Sequence, residues 1–244
     1  MNEMRSEPLV QRLQAELPVA ATSFELAGRR CGLVIIDVQN GFATVGAGPL
    51  APVEQNDQID RMIAETDRLA RRFEDRGLPI AVFLDCHATD RPEPPYPLHC
   101  LAGTAEAELV PALAWLERSP AATLLKADCI NDFVGSIDPA TGRNAIVEWI
   151  KAHALDAMVV VGICTDICVG EFVATMLSAR NHGLTEPLRD IVVYEPGCAT
   201  YDLPRHRAEA LGLPATAAHP QAAAHHLGLW LMASRGAVVA AAIG

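Results

Sequence analysis

Six short runs of apolar, often β-branched residues recur along the chain, and most of them end on a residue able to do chemistry. Gly32–Ile36 ends at Asp37, Leu78–Leu84 at Asp85, and Ala122–Leu125 at Lys126. Met158–Val161 ends at Gly162, Ile191–Val193 at Tyr194, and Ala237–Val239 lies close to residue 244. Continuous rather than alternating hydrophobicity is the mark of strands buried on both faces, as in a parallel sheet. Between the runs lie helical stretches. Gln58–Arg76 carries apolar residues at Ile59, Met62, Ile63, Leu69 and Phe73 and stops at Gly77, while Asn144–His153, Asp166–Asn181 and Gln221–Ser234 also suit helices. Strands that alternate with helices predict an α/β fold. The expected architecture is a single three-layer α/β/α domain around a mostly parallel sheet of roughly six strands. Residues 1–28 read as a polar helical lead-in, and residues 29–244 as the domain.

The length of 244 residues and a 50% hydrophobic share support a large core and exclude wholesale disorder. A formal net charge of −11 argues against nucleic acid and against anionic membrane surfaces as partners. No apolar run approaches the ~20 residues that span a bilayer, and the N-terminal stretch lacks the apolar segment of a secretory signal. Seven scattered cysteines suit free thiols in a reducing cytoplasm better than a disulfide framework.

In parallel α/β sheets, chemistry gathers where strands end at their carboxyl edge. That rule selects Asp37, Asp85, Lys126 and the segment Gly162–Cys168. Cys168 falls just past a strand, in the first turn of an expected helix, where the positive end of the helix dipole lowers a thiol's pKa. A nearby Lys126 is expected to lower it further, and Asp37 to accept the thiol proton, which together make a nucleophile. Burial in a core is the commonest fate of a free cysteine, so position alone leaves both readings open. Cys164 competes for the same role. The two cannot form a disulfide within one helical turn, because their Cβ atoms would stand ~6 Å apart where a disulfide needs ~3.8 Å.

A second constellation follows the second strand. Asp85 and His87 stand two apart, and Glu93 and His99 come from the Pro-rich loop beyond. Two imidazoles with one or two carboxylates suit Zn²⁺, Fe²⁺ or Mn²⁺. The spacing matches no zinc-finger pattern, so incidental loop histidines remain the alternative. His225 and His226, on the C-terminal helix, read as surface or packing residues.

The stretches IIDVQNGF (35–42), FLDCHATDRPEPPYPLHCLAGT (83–104), LLKADCINDFVGS (124–136) and VVVGICTDICV (159–169) together resemble the nicotinamidase branch of the isochorismatase-like cysteine hydrolases. The plant-type members are the most similar, through GFATVGAGPLAP, DCINDFVGS and SARNHG. The resemblance runs from about residue 30 to the C-terminus. It implies a catalytic triad of Asp37, Lys126 and Cys168. It also implies a cis peptide at Ile163-Cys164 and an oxyanion hole from the backbone of Cys164 and Cys168. A divalent metal, zinc first and iron or manganese otherwise, would sit on Asp85, His87, His99 and Glu93. Phe42, Tyr96 and Ile163 would line the site for a pyridine ring. The implied activity is conversion of nicotinamide to nicotinate and ammonia through a Cys thioester, by a cytoplasmic homo-oligomer acting on a small molecule. Other amides (pyrazinamide, maleamate, ureido compounds) and a non-catalytic binding protein of the same fold are the competing readings. Isochorismate hydrolysis fits less well, because members with that activity lack the Cys nucleophile.

Overall fold

The computed structural model describes residues 7–244. Seven strands build one sheet: β1 (Ala21–Phe24), β2 (Cys31–Ile36), β3 (Ile80–Asp85), β4 (Ala122–Ala127), β5 (Ala157–Ile163), β6 (Asp190–Ala199) and β7 (Val238–Ile243). Their order across the sheet is β1-β7-β6-β5-β2-β3-β4, and every pair is parallel. The helices are α1 (Glu7–Glu16), α2 (Asn40–Ala43), α3 (Asp57–Asp75), α4 (Asp132–Gly135), α5 (Ala145–Ala152), α6 (Cys168–Asn181), α7 (Arg205–Ala210) and α8 (Gln221–Ser234).

The apolar runs became strands because both sheet faces are covered. On one face Leu33, Ile35, Val82, Val159 and Val161 pack against Ile59, Met62, Leu69 and Phe73 of α3. On the other, Val34, Ile36, Phe83, Val160 and Val193 pack against α5, α6 and α8 through Trp149, Phe172, Met176 and Leu229. Burying each such side chain contributes roughly 1.5–3 kcal/mol. Local chemistry sets the helix ends. The Asn56 side chain accepts from the N–H groups of Gln58 and Ile59 to start α3, and Asn144 caps α5 in the same way through Val147.

Two strands depart from the sequence reading. β1 was not expected, since residues 21–24 lie in the polar lead-in and only Phe24 of the four is buried. It pairs with β7 at the far edge and makes the count seven. β4, read as buried on both faces, is the opposite edge strand, and its Thr123, Leu124 and Lys126 are exposed. α6 also begins two residues later than expected, at Cys168.

The chain turns back across the sheet at β2. After β3 and β4 are laid on one side, β5, β6 and β7 follow on the other. Such a reversal opens a crevice at the carboxyl ends of the two central strands. Gly162 marks it: at φ +132° and paired with Ile36, it has no room for a Cβ against the Ile36 backbone. The peptide that follows, Ile163-Cys164, is cis.

Candidate active site

Three strand ends deliver side chains to this crevice. Asp37 follows β2 directly and adopts φ +53°, a left-handed conformation that Asp tolerates better than most residues. The turn lowers its carboxyl into a buried position, 2% exposed. Cys168 opens α6 after β5, and its thiol faces the Asp37 carboxyl. The backbone N–H of Cys164 faces the Cys168 sulfur. The carboxyl Asp37 is pushed well above the usual range, by burial first and then by the charge of Asp85, so it holds a proton readily.

The thiol does not match the expectation of a lowered pKa. Burial and then the nearby Asp37, Cys164 and Asp132 push Cys168 well up. The helix start remains, and the groups that act most on the thiol are acids and a second thiol. Lys126 is exposed, belongs to no hydrogen bond or ion pair among the described residues, and does not line the cavity. The reason is strand periodicity. Side chains alternate across a strand, and a shift of one residue exchanges the faces. Lys126 is in register with Leu84, which packs toward the α3 layer, whereas the buried Ala127 is in register with Asp85.

The histidine constellation comes together. Ligand atoms of Asp85, His87 and His99 lie within 4.8 Å of one another, and all three residues are buried. His87 Nε2 stands 2.7 Å from Asp85 Oδ1, and His99 Nε2 stands 3.0 Å from Asp85 Oδ2. Even so, Asp85 Oδ2 and both ring nitrogens of His87 make no hydrogen bond. Buried lone pairs that crowd together without hydrogen-bond alignment are what a cation site needs, and the nitrogen–oxygen donor set suits Zn²⁺ or Fe²⁺. Glu93 is more distant, 3.8 Å from His87 Nε2, and its Oε1 accepts from the Ile130 N–H at 2.7 Å.

Both constellations open into one cavity of ≈ 1230 Å³, lined among others by Asp37, Phe42, Asp85, Tyr96, His99, Cys164 and Cys168. Phe42 and Tyr96 each present an edge-on ring to His99, with centroids at 5.6 and 6.3 Å. Ile163 is not among the lining residues. Its side chain is 1% exposed in the core, because β5 still runs buried at that point, so only its backbone reaches the crevice.

Sequence reasoning assigned no role to several residues that shape the site. Gln39 is fully buried. Its amide donates to the backbone oxygens of Asp85 (2.9 Å) and Ala107 (2.8 Å), and its oxygen accepts from the Asp85 N–H (2.7 Å). Asp166 accepts from Thr200 Oγ1 (2.7 Å) and pairs with His219 (2.8 Å), on which Tyr201 stacks with ring centroids 3.9 Å apart. This network ties the 201–220 segment to the turn that carries Cys164 and Cys168. His225 is buried and meets Thr165 Oγ1 at 2.8 Å. These roles depend on contacts between segments remote in sequence.

A family match decides the kinship: the isochorismatase domain covers residues 31–242. This chain belongs to the isochorismatase domain family. A relative, Nicotinamidase 1 of Arabidopsis thaliana, is 50% identical over 239 residues, which is 97% of either chain. Among solved structures of the fold, the nicotinamidase of Bacillus subtilis superposes with a TM-score of 0.63 at 20% identity, covering 86% of this chain and 99% of that one. The pyrazinamidase of Pyrococcus horikoshii, solved in complex with zinc, gives 0.60 at 17%, covering 86% and 98%. Family membership and fold agree with the parallel sheet that reverses at β2.

Proposed function

We propose that this protein hydrolyses nicotinamide to nicotinate and ammonia by way of a Cys168 thioester. The observation that carries the reading is the buried thiol of Cys168 facing the carboxyl of Asp37 in the cavity that Asp85 and His99 also line, with His87 clustered beside those two. The high identity to a plant nicotinamidase along nearly the whole chain supports the choice of amide.

In this reading Asp37 takes the thiol proton and the sulfur attacks the carboxamide carbon. The backbone N–H groups of Cys164 and Cys168 hold the developing oxyanion, and removing one such donor typically costs ~3 kcal/mol. Asp37 then gives the proton to departing ammonia and accepts one from the water that cleaves the thioester. Asp85, His87 and His99 are the residues that would hold a divalent ion, zinc foremost, with Glu93 at its margin. That ion would supply a Lewis-acid site for the ring nitrogen. Phe42 and Tyr96 would enclose the ring and fix its angle to Cys168. The partner is a small molecule. Among the described residues no helix is long and apolar enough to cross a membrane. A reducing cytoplasm suits seven free thiols, and a homo-oligomer remains part of the proposal.

The test is ammonia release from nicotinamide by the purified protein with zinc, iron or manganese supplied. Turnover that disappears in Cys168→Ala is the expected result. No release with any of the three metals, from protein shown to be folded, would overturn the reading in favour of a binding protein.

A further inference from the structure

Asp166, His219 and Tyr201 stand together beside the cavity, and the reaction above gives them no part. Asp166 lies midway between Cys164 and Cys168, on the turn that carries both. α8 packs against that turn so closely that a Cβ on Gly228 would stand 2.8 Å from the Asp166 Cα. Thr200 Oγ1 donates to Asp166 Oδ1 at 2.7 Å, and His219 Nε2 meets Asp166 Oδ2 at 2.8 Å. Burial alone would raise the Asp166 carboxyl, but the hydrogen bonds from His219 and Thr200 hold it below the usual carboxylate range. The other imidazole nitrogen, His219 Nδ1, meets the Tyr201 carbonyl oxygen at 2.9 Å. A carboxylate and a carbonyl both accept, so both ring nitrogens donate, which only an imidazolium can do.

The Tyr201 ring lies flat on this imidazolium, with centroids 3.9 Å apart and planes 12° apart. A cation against an aromatic face is attracted to its π electrons, so the stack fixes one face of the ring. The backbone beside it is clamped as well. The Tyr201 N–H faces the Cys164 sulfur, Gln221 Nε2 donates to the Thr200 carbonyl at 2.6 Å, and Leu203 and His219 exchange backbone hydrogen bonds at 2.8 and 2.7 Å. Tyr201 thereby lines the cavity together with Cys164 and Cys168. Phe42 and Tyr96, the other phenyl rings of the lining, both rest edge-on against His99, on the histidine side. A single flat ring held from that side alone, in a space of ≈ 1230 Å³, could slide away from the thiol.

We propose that Tyr201 is a further substrate-binding residue: a pre-set aromatic wall on the Cys164 side of the cavity for the planar ring of the amide, with His219 and Asp166 as its positioning residues. The inference rests on the amidase reading above and deepens it. The imidazolium–carboxylate pair ties the wall to the turn that carries the nucleophile, so ring and thiol keep one spacing.

The full-length, metal-loaded protein tests this through the kinetic constants for nicotinamide. Tyr201→Ala should raise KM by about tenfold and leave kcat within about threefold, as a loss of ring binding requires. Tyr201→Phe keeps the ring and should recover most of that loss. His219→Ala should raise KM by about threefold in the parent and add nothing in Tyr201→Ala, because it acts through the ring. A KM for folded Tyr201→Ala within about twofold of an active parent would overturn the proposal. A second measurement needs neither metal nor turnover: alkylation of the Cys168 peptide, read by mass spectrometry, by phenacyl bromide relative to bromoacetamide. Only the first reagent carries a ring, so the ratio should fall by about fivefold in Tyr201→Ala, and an unchanged ratio overturns the proposal. A parent that releases no ammonia yet shows this fall refutes the amidase reading and leaves Tyr201 an aromatic wall of the cavity.

Discussion

The central strands and the edge strand of this sheet deliver functional residues with different fidelity. β2 and β5 lie side by side in the middle, fully buried, and each ends on a reactive residue that lands where strand order places it. β4 lies at the rim, covered on neither face along Thr123–Leu124, and the Lys126 near its end is exposed and does not line the cavity. Burial on both faces pins a strand's ends, because any slip would expose a full set of apolar side chains. At an edge the apolar pattern loses that force, and a residue's face cannot be read from the run that contains it.

The largest effects should therefore come from the central strands. Cys168→Ala removes the thiol that faces Asp37, and ammonia release from nicotinamide should fall by at least about a thousandfold. Cys164→Ala should keep a measurable rate, within about tenfold of the parent, because its contribution is a backbone N–H. Its thiol, pushed up to about 12 by burial and then by Asp166, is a poor substitute. Equal losses in the two folded variants would show that the nucleophile has been misassigned.

The same contrast explains what was legible in the sequence. The α/β class, the helix boundaries near Asn56 and Asn144, and the gathering of Asp37, Asp85 and Cys168 follow from apolar runs and caps, which are local signals. The three-residue set Asp85, His87 and His99 was legible because two of its members share a strand end. Gln39 and Asp166 were not, since each matters through partners 34 to 68 residues away. Lys126, selected by the strand-end rule and by the resemblance, is exposed in the structure, and the one-residue difference between faces of an edge strand leaves no mark in composition.

The histidine side of the cavity ranks next. His87→Ala removes a buried ligand atom, so bound zinc measured on the purified protein should drop by about a hundredfold in affinity, with nicotinamide turnover following it. Benzamide offers no ring nitrogen and should be a poor substrate of the metal-loaded enzyme by a similar factor. Benzamide and nicotinamide turned over at equal rates would separate the metal set from ring recognition. One step further out, Gln39→Ala leaves the Asp85 backbone without its clamp. Metal affinity should weaken by about tenfold.

The smallest effect should be at Lys126, and it bears most directly on the comparison of centre and edge. An ammonium at contact distance in a buried site would lower the thiol's pKa by one to three units, so its loss would slow alkylation of Cys168 near neutral pH by roughly tenfold or more. In the structure Lys126 extends from the exposed face of β4, partnerless among the described residues, and the Cys168 thiol feels Asp37, Cys164 and Asp132 instead. Lys126→Ala should accordingly keep kcat/KM for nicotinamide within about twofold and leave the pH profile of Cys168 alkylation where it is, since a solvent-exposed charge is largely screened. A profile displaced toward alkali by about one unit in the folded variant would place the ammonium against the thiol after all and erase the distinction between the edge strand and the two central ones.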